Sequence, residues 1–86
     1  MLTIKVLGSG CENCKRLEAT VRQVVAMLSI SAQVVKVTDA AEIAKYHLLA
    51  TPGLVINEKV VSAGRVPDEA EVTTFITTAL EQQEPA

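Results

Sequence analysis

Two cysteines, separated by two residues, are the part of this sequence with the most evident chemistry. Cys11 and Cys14 are the only cysteines in the chain of 86 residues. A small secreted domain held together by disulfides normally carries about four to eight cysteines at wider spacing. A disulfide across so short a loop stabilises a fold by only about 2 kcal/mol. The spacing therefore indicates a functional pair, and two functions are open: a dithiol that cycles with a disulfide, or two thiolates that hold a metal.

The residues around the pair predict that it lies where a helix begins. Residues 8–10 are Gly-Ser-Gly, which favour a turn. After Cys14 the apolar residues recur at helical spacing, at Leu17, Val21, Val24, Val25 and Leu28. The first N–H groups of a helix carry partial positive charge, which favours a thiolate over a thiol. We expect Cys11 to be the exposed nucleophile and Cys14, one turn into the helix, to be the buried resolving thiol.

The next elements follow from periodicity and from helix-capping residues. Alternating apolar residues predict a first strand over residues 2–6, and β-branched residues predict a second over residues 32–37. Asp39 is predicted to cap a short helix that ends at about Tyr46, with Glu42 as its capping-box partner.

A hairpin and a final helix complete the predicted fold. Residues 54–56 and 59–63 are predicted strands, and the Asn57-Glu58 pair between them fits a tight turn because Asn tolerates positive φ. The last helix is predicted to begin near Pro67 or Asp68. Its apolar stripe is Val72, Phe75, Ile76, Ala79 and Leu80. The order β-α-β-α-β-β-α predicts an α/β fold with a four-stranded mixed sheet and helices on both faces.

Length and composition predict one folded domain over residues 1–86, with residues 81–86 as a frayed polar tail. Hydrophobic residues are 49% and charged residues 21%, which excludes an intrinsically disordered chain. The net charge of -2 argues against a nucleic acid or an anionic membrane as partner. The longest apolar run, residues 24–28, is much shorter than the roughly twenty residues of a membrane helix or the roughly seven of a signal-peptide core. We therefore expect a cytoplasmic protein.

The metal hypothesis makes different predictions from the redox hypothesis. Two thiolates can hold Cu(I), whereas Zn²⁺ prefers four ligands, and His47 is the only histidine that could join the pair. We expect His47 to lie at the surface or at a helix end. Heavy-metal-associated domains have a similar C-x-x-C loop after their first strand, but their order is β-α-β-β-α-β. They end on a strand, and the Thr51-Pro52 dipeptide has no role in them.

Three segments together resemble the thioredoxin-like superfamily, most closely its small thioredoxin- and glutaredoxin-like redox-active disulfide proteins. They are residues 8–15 (GSGCENCK), 50–54 (ATPGL) and 61–65 (VSAGR). The order of elements matches the family's minimal form over nearly the whole chain. The resemblance implies a thiol–disulfide oxidoreductase that takes part in electron transport as a monomer and needs no cofactor and no metal. Its partners would be a protein disulfide or dithiol and a redox donor such as a thioredoxin reductase.

The resemblance also implies roles for individual residues. Cys11 and Cys14 match the catalytic redox pair, and Pro52 matches the family's cis-proline, which packs against the disulfide. Thr51 would offer its backbone groups to an extended substrate segment, as in β-strand addition. Gly10 and Gly64 would complete the substrate-binding surface.

The chain also departs from the family pattern. Gly10 replaces the tryptophan that precedes the first cysteine of thioredoxins, and residues 4–6 (IKV) lack the family's buried acid. Gly64 stands alone where glutaredoxins have a Gly-Gly turn for glutathione. Lys36 falls where thioredoxins carry a lysine near the active site, although a partly exposed strand residue explains it equally well.

Overall fold

Four strands and three helices follow one another in the predicted order. The computed structural model describes residues 2–8, 12–48 and 50–82. The elements are β1 (Leu2–Leu7), α1 (Glu12–Leu28), β2 (Ala32–Val37), α2 (Ala40–Ala44), β3 (Gly53–Ile56), β4 (Lys59–Ala63) and α3 (Glu69–Gln82). The predicted fold class, a four-stranded mixed sheet with the order β-α-β-α-β-β-α, is confirmed.

The sheet has the strand order β2-β1-β3-β4, so β1 and β3 are its central strands. β1 and β2 are parallel, with Leu2 opposite Ala32. β3 runs antiparallel to β1, and β4 runs antiparallel to β3 with a register shift between Leu54 and Val55. The carboxyl end of β1 therefore leads directly from the centre of the sheet to the loop that precedes α1.

One face of the sheet carries the hydrophobic core. Side chains alternate along a strand, so Leu2, Ile4 and Val6 of β1 point to the same face and all three are buried. They join a single cluster with residues of α1 and α3, namely Leu17, Val21, Val24, Val72, Ile76 and Ala79. Both long helices therefore pack on this face, and the core is aliphatic, with Phe75 only at its margin.

The opposite face carries Lys5 and the buried side chains of Leu7 and Val55, and the turn after α2 lies on it. Lys5 alternates with the core residues of β1 and so points away from them. Its Nζ donates a hydrogen bond to the hydroxyl of Tyr46, 2.8 Å away. α2 buries no side chain completely. The turn after α2 therefore lies on the face opposite to α1 and α3.

The middle helix is shorter than predicted. Asp39 caps it as expected, its carboxylate accepting a hydrogen bond of 3.0 Å from the N–H of Ala41. The prediction that the helix continues to about Tyr46 is wrong, because it ends at Ala44. The N–H groups of residues 45–47 bond to carbonyls three residues earlier, which forms a 3₁₀-type turn. His47, with a φ of 55°, follows in the left-handed conformation.

Three other boundaries differ from the predictions. The strand predicted over residues 54–56 begins at Gly53. The strand predicted over residues 2–6 includes Leu7. Helix α3 includes Glu81 and Gln82, which the sequence predicts to be part of a frayed tail, and residues 83–86 lie outside the described residues.

The β3–β4 turn has the predicted character. Asn57 has a φ of 51° and Glu58 a φ of 70°, which is typical of a type I′ turn. The side-chain oxygen of Asn57 accepts a hydrogen bond from the N–H of Thr3, and its own N–H donates to the Thr3 carbonyl. These bonds attach the turn to the start of β1. Within the described residues, no helix is long and apolar enough to cross a membrane.

Candidate active site

Cys14 lies in the first turn of α1, which begins at Glu12. The residue is only 1% exposed and is disulfide-bonded. Its burial agrees with the position expected of a resolving thiol. Glu12 and Asn13, which precede it, are exposed. Cys11, the predicted nucleophile, and Gly10 lie outside the described residues.

Gly8 forms the surface on which the sulfur of Cys14 rests. A Cβ on residue 8 would overlap the Sγ of Cys14 and would lie 3.3 Å from its Cβ. The same position is 3.9 Å from the Cα of Pro52. The N–H of Gly8 bonds to the carbonyl of Val37 at 2.9 Å, which holds the end of β1 against the end of β2. The end of β1, the first turn of α1 and the loop before β3 therefore converge at one point.

From its sequence neighbours alone, Gly8 is expected to be a turn residue. The need for glycine comes from a contact with a residue six positions further on, in another element. Its place immediately before the cysteine loop was the available signal.

Pro52 and its neighbours border the site on the β3 side. The Thr51–Pro52 peptide bond is cis, Pro52 is buried and Thr51 is exposed. The carbonyl of Pro52 accepts a hydrogen bond of 2.9 Å from the N–H of Gly64, whose φ of 78° is left-handed. A Cβ on Gly64 would lie 3.2 Å from the Cβ of Ala50. The structure therefore brings together three of the four predicted substrate-binding residues.

A charged group beyond Gly64 fixes the connection from β4 to α3. The guanidinium of Arg65 donates two hydrogen bonds, of 3.0 and 2.7 Å, to the carboxylate of Glu71. These bonds hold the pKa of the Glu71 carboxyl below its ordinary value. The carboxylate of Asp68 accepts from the N–H of Glu71 at 2.9 Å. No local pattern in the sequence predicts this arrangement.

Lys36, which the resemblance places near the active site, lies in a surface ion-pair group. It is exposed on β2, and its Nζ lies 3.9 Å from the Oε1 of Glu18 on α1. Glu18 also accepts a hydrogen bond of 2.9 Å from Arg22. Lys36 therefore belongs to a surface ion-pair group, which favours its interpretation as a partly exposed strand residue.

The described residues offer no cluster for a metal with several protein ligands. Among them, no three His, Cys, Asp or Glu side chains converge. His47 is exposed at the end of the turn after α2, as expected. The last element described is α3, whereas the order given above for heavy-metal-associated domains ends on a strand.

Comparison with known proteins agrees with this fold. The family model for the thioredoxin domain matches residues 2–77. A thioredoxin of Methanocaldococcus jannaschii is 35% identical over 81 residues, covering 94% of this chain and 93% of the relative. A thioredoxin of Methanothermobacter thermautotrophicus is 33% identical over 76 residues, covering 88% of this chain and 99% of the relative. The chain belongs to the thioredoxin family, and it is a thiol–disulfide oxidoreductase whose substrate these similarities do not specify.

Solved structures share the fold at much lower sequence identity. Thioredoxin-2 of a malaria parasite superposes with a TM-score of 0.70 and 9% identity, over 91% of this chain and 82% of that one. Deadhead, a germline-specific thioredoxin of Drosophila melanogaster, superposes with a TM-score of 0.66 and 20% identity, over 90% of this chain and 79% of that one. These two similarities concern the fold alone.

Proposed function

We propose that this protein exchanges disulfides with protein substrates, with Cys11 as the nucleophile and Cys14 as the resolving thiol. The observation that carries the proposal is the environment of Cys14. The residue is buried and disulfide-bonded in the first turn of α1, directly against the backbone of Gly8 and close to Pro52. The only other cysteine of the sequence is Cys11, which we propose as its disulfide partner.

The proposed reaction has two exchange steps. The thiolate of Cys11 attacks a substrate disulfide, so a Cys11–substrate bond forms, the substrate S–S bond breaks, and the released sulfur takes up a proton. The thiolate of Cys14 then attacks the sulfur of Cys11 and releases the second substrate sulfur, which is also protonated. Two electrons pass to the substrate, and the Cys11–Cys14 disulfide forms. The unpaired N–H groups at the start of α1 stabilise the attacking thiolate.

The substrate segment is proposed to lie along Thr51. Thr51 is exposed beside the site, whereas the carbonyl of Pro52 is already bonded to Gly64. An extended substrate chain can pair with the backbone of Thr51 as an added strand. Gly10 and Gly64 are proposed to border this segment, because a residue without a side chain lets another backbone approach closely.

The partners and location remain those expected from the sequence. Thioredoxins act on protein disulfides, which gives the general class of substrate. We propose that the protein works as a monomer in the cytoplasm and that a reductase such as a thioredoxin reductase supplies its electrons. Size-exclusion chromatography and a coupled assay with candidate reductases test the monomer and the donor.

Two cysteine variants test the proposed mechanism. Cys11→Ser should abolish the reduction of a protein disulfide, because the attacking thiolate is lost. Cys14→Ser should leave Cys11 in a stable mixed disulfide with the substrate, which mass spectrometry detects. Met27→Ala, a change at a side chain 61% exposed on the same helix, is the control and should retain full activity. Turnover by the Cys11 variant would overturn the assignment.

A further inference from the structure

Three side chains from three parts of the chain meet on the sheet face opposite to α1 and α3. Nζ of Lys5 donates to the hydroxyl of Tyr46 at 2.8 Å and to Oε1 of Glu58 at 2.6 Å. The hydroxyl of Tyr46 in turn donates to Oε2 of Glu58 at 3.0 Å. Each group therefore bonds to the other two. We call this the Lys5–Tyr46–Glu58 cluster; it joins β1, the turn after α2 and the β3–β4 turn.

Glu58 has an unfavourable backbone conformation for its residue type. Its φ of 70° places it at the second central position of a type I′ turn, where glycine is preferred. A residue that breaks a local preference often serves a longer-range contact. For Glu58 these contacts are the hydrogen bonds from Lys5 and Tyr46. They hold the pKa of the Glu58 carboxyl below its ordinary value. The same hydrogen bonds therefore favour the charged form of this carboxylate.

Tyr46 is placed where the cluster can act on the active site. It lies in the turn that ends α2, a helix without a fully buried side chain. The chain then runs to Thr51 and Pro52. At the far end of this segment, the carbonyl of Pro52 accepts a hydrogen bond from the N–H of Gly64. The side chain of Leu48, within the segment, packs against Gly53. The cluster thus fixes the near end of the segment that carries Thr51.

We propose that the Lys5–Tyr46–Glu58 cluster positions the Thr51–Pro52 loop for protein substrates, with Tyr46 as its central positioning residue. This inference rests on the proposed function. A protein substrate must pair with the backbone of Thr51 while its disulfide meets the nucleophile, so a displaced loop slows the reaction. A small disulfide needs only the thiolate. The cluster therefore controls the rate with protein disulfides and leaves the thiol chemistry unchanged.

Tyr46→Phe tests the proposal because it removes only the hydroxyl. The reduced protein is mixed with insulin as a protein disulfide and, separately, with 5,5′-dithiobis(2-nitrobenzoate) as a small one, and both rate constants are measured. We expect a loss of about five- to tenfold with insulin, since small displacements of bound groups have effects of this order or larger. The rate with the small disulfide and the reduction potential should not change. Glu42→Gln is the matched control, because it removes an exposed ion pair of α2, with Lys45 at 3.0 Å, and should alter neither rate.

A second variant separates positioning from folding stability. Glu58→Gly removes the carboxylate but supplies the residue that the turn prefers, so it should fold at least as stably while it slows the reaction with insulin. Equal losses with both disulfides, or no loss with either, would overturn the positioning role. If the wild-type protein reduces neither disulfide, it is the proposed function that fails.

Discussion

The backbone of Gly8 lies so close to the Sγ of Cys14 that any side chain at position 8 would occupy the place of the sulfur. Gly8 follows β1, and Cys14 belongs to the first turn of α1. The N–H of Gly8 donates a hydrogen bond to the carbonyl of Val37, and this bond restricts movement of the Gly8 backbone away from the sulfur. The central strand and the helix therefore approach one another at the sulfur.

Gly8→Ala should make the disulfide easier to reduce. The added Cβ must displace the Sγ of Cys14. In the reduced protein the side chain of Cys14 can rotate to move its sulfur away, whereas a sulfur held in a disulfide cannot move in this way. The oxidised form is thus destabilised more than the reduced form. Overpacking of this kind costs about 1–3 kcal/mol, and the share that falls on the oxidised form alone raises the reduction potential, by up to roughly 20–60 mV. Equilibration in dithiol buffers followed by alkylation and mass spectrometry measures the shift.

Gly53→Ala is the matched control for this substitution. A Cβ on Gly53 would meet the flexible end of the Leu48 side chain and not the sulfur of Cys14. The control should alter stability while the reduction potential stays at the wild-type value. A Gly8 variant whose potential equals that of the wild type would contradict the interpretation of the contact.

Features set by neighbouring residues could be predicted from the sequence. The second strand coincides with Ala32–Val37, because its β-branched residues and flanking turns are local signals. Asp39 caps α2, and Asn57 has the positive φ expected of it. The order of elements followed from these signals. The strand–helix–strand unit at the start then predicts a parallel first pair of strands with a right-handed crossover.

The features that the sequence did not reveal depend on contacts between distant residues. In the Lys5–Tyr46–Glu58 cluster, Lys5 is 41 residues from Tyr46 and 53 residues from Glu58 along the chain. No local periodicity indicates that such distant residues are in contact. The length of α2 was misjudged because its end is a 3₁₀-type turn, whose residues also fit a helical pattern. For Cys11 and Gly10 the roles remain predictions, since both residues lie outside the described part of the chain.

Leu17→Ala should destabilise the protein strongly. Leu17 is completely buried in the cluster that joins α1 to the sheet. Truncating such a side chain removes buried apolar surface and leaves a cavity, at a cost of about 2–5 kcal/mol. Met27→Ala, on the same helix, changes a side chain that is 61% exposed and should cost less than about 0.5 kcal/mol. Urea denaturation of both variants checks the difference, and equal losses would contradict the assigned core.

Acid should weaken the fold below about pH 4.5. The pKa values of the Glu58 and Glu71 carboxyls lie below their ordinary 4.5, mainly because hydrogen bonds from Lys5 and Arg65 favour the charged forms. A carboxyl whose pKa is lower in the folded state contributes stability above its unfolded pKa. That contribution is lost as the pH falls through the folded value. The free energy of unfolding, measured from about pH 7 to pH 3, should therefore decrease over this range.

Glu71→Gln tests the contribution of one pair to this acid sensitivity. Glutamine can still serve as the third helical residue of a capping box, so the substitution mainly removes the charge opposite Arg65. The variant should be less stable than the wild type at neutral pH, and the difference should shrink as the pH falls below 4.5, the ordinary pKa. A difference that stays constant with pH would show that the pair does not cause the decrease.

Asp68→Ala should destabilise α3 by removing its N-terminal cap. The Asp68 carboxylate accepts from the N–H of Glu71, and the Glu71 carboxylate lies 3.4 Å from the N–H of Asp68, so the two form a capping box. Loss of such a cap typically costs about 1 kcal/mol. Asp68→Asn keeps the acceptor oxygen and should cost less. Asp39→Ala removes the corresponding bond to Ala41, but α2 buries no residue, so unfolding of α2 should spread less to the core. Urea denaturation should rank Asp68→Ala as the most destabilising; an equal effect of Asp39→Ala would place α2 in the cooperative core.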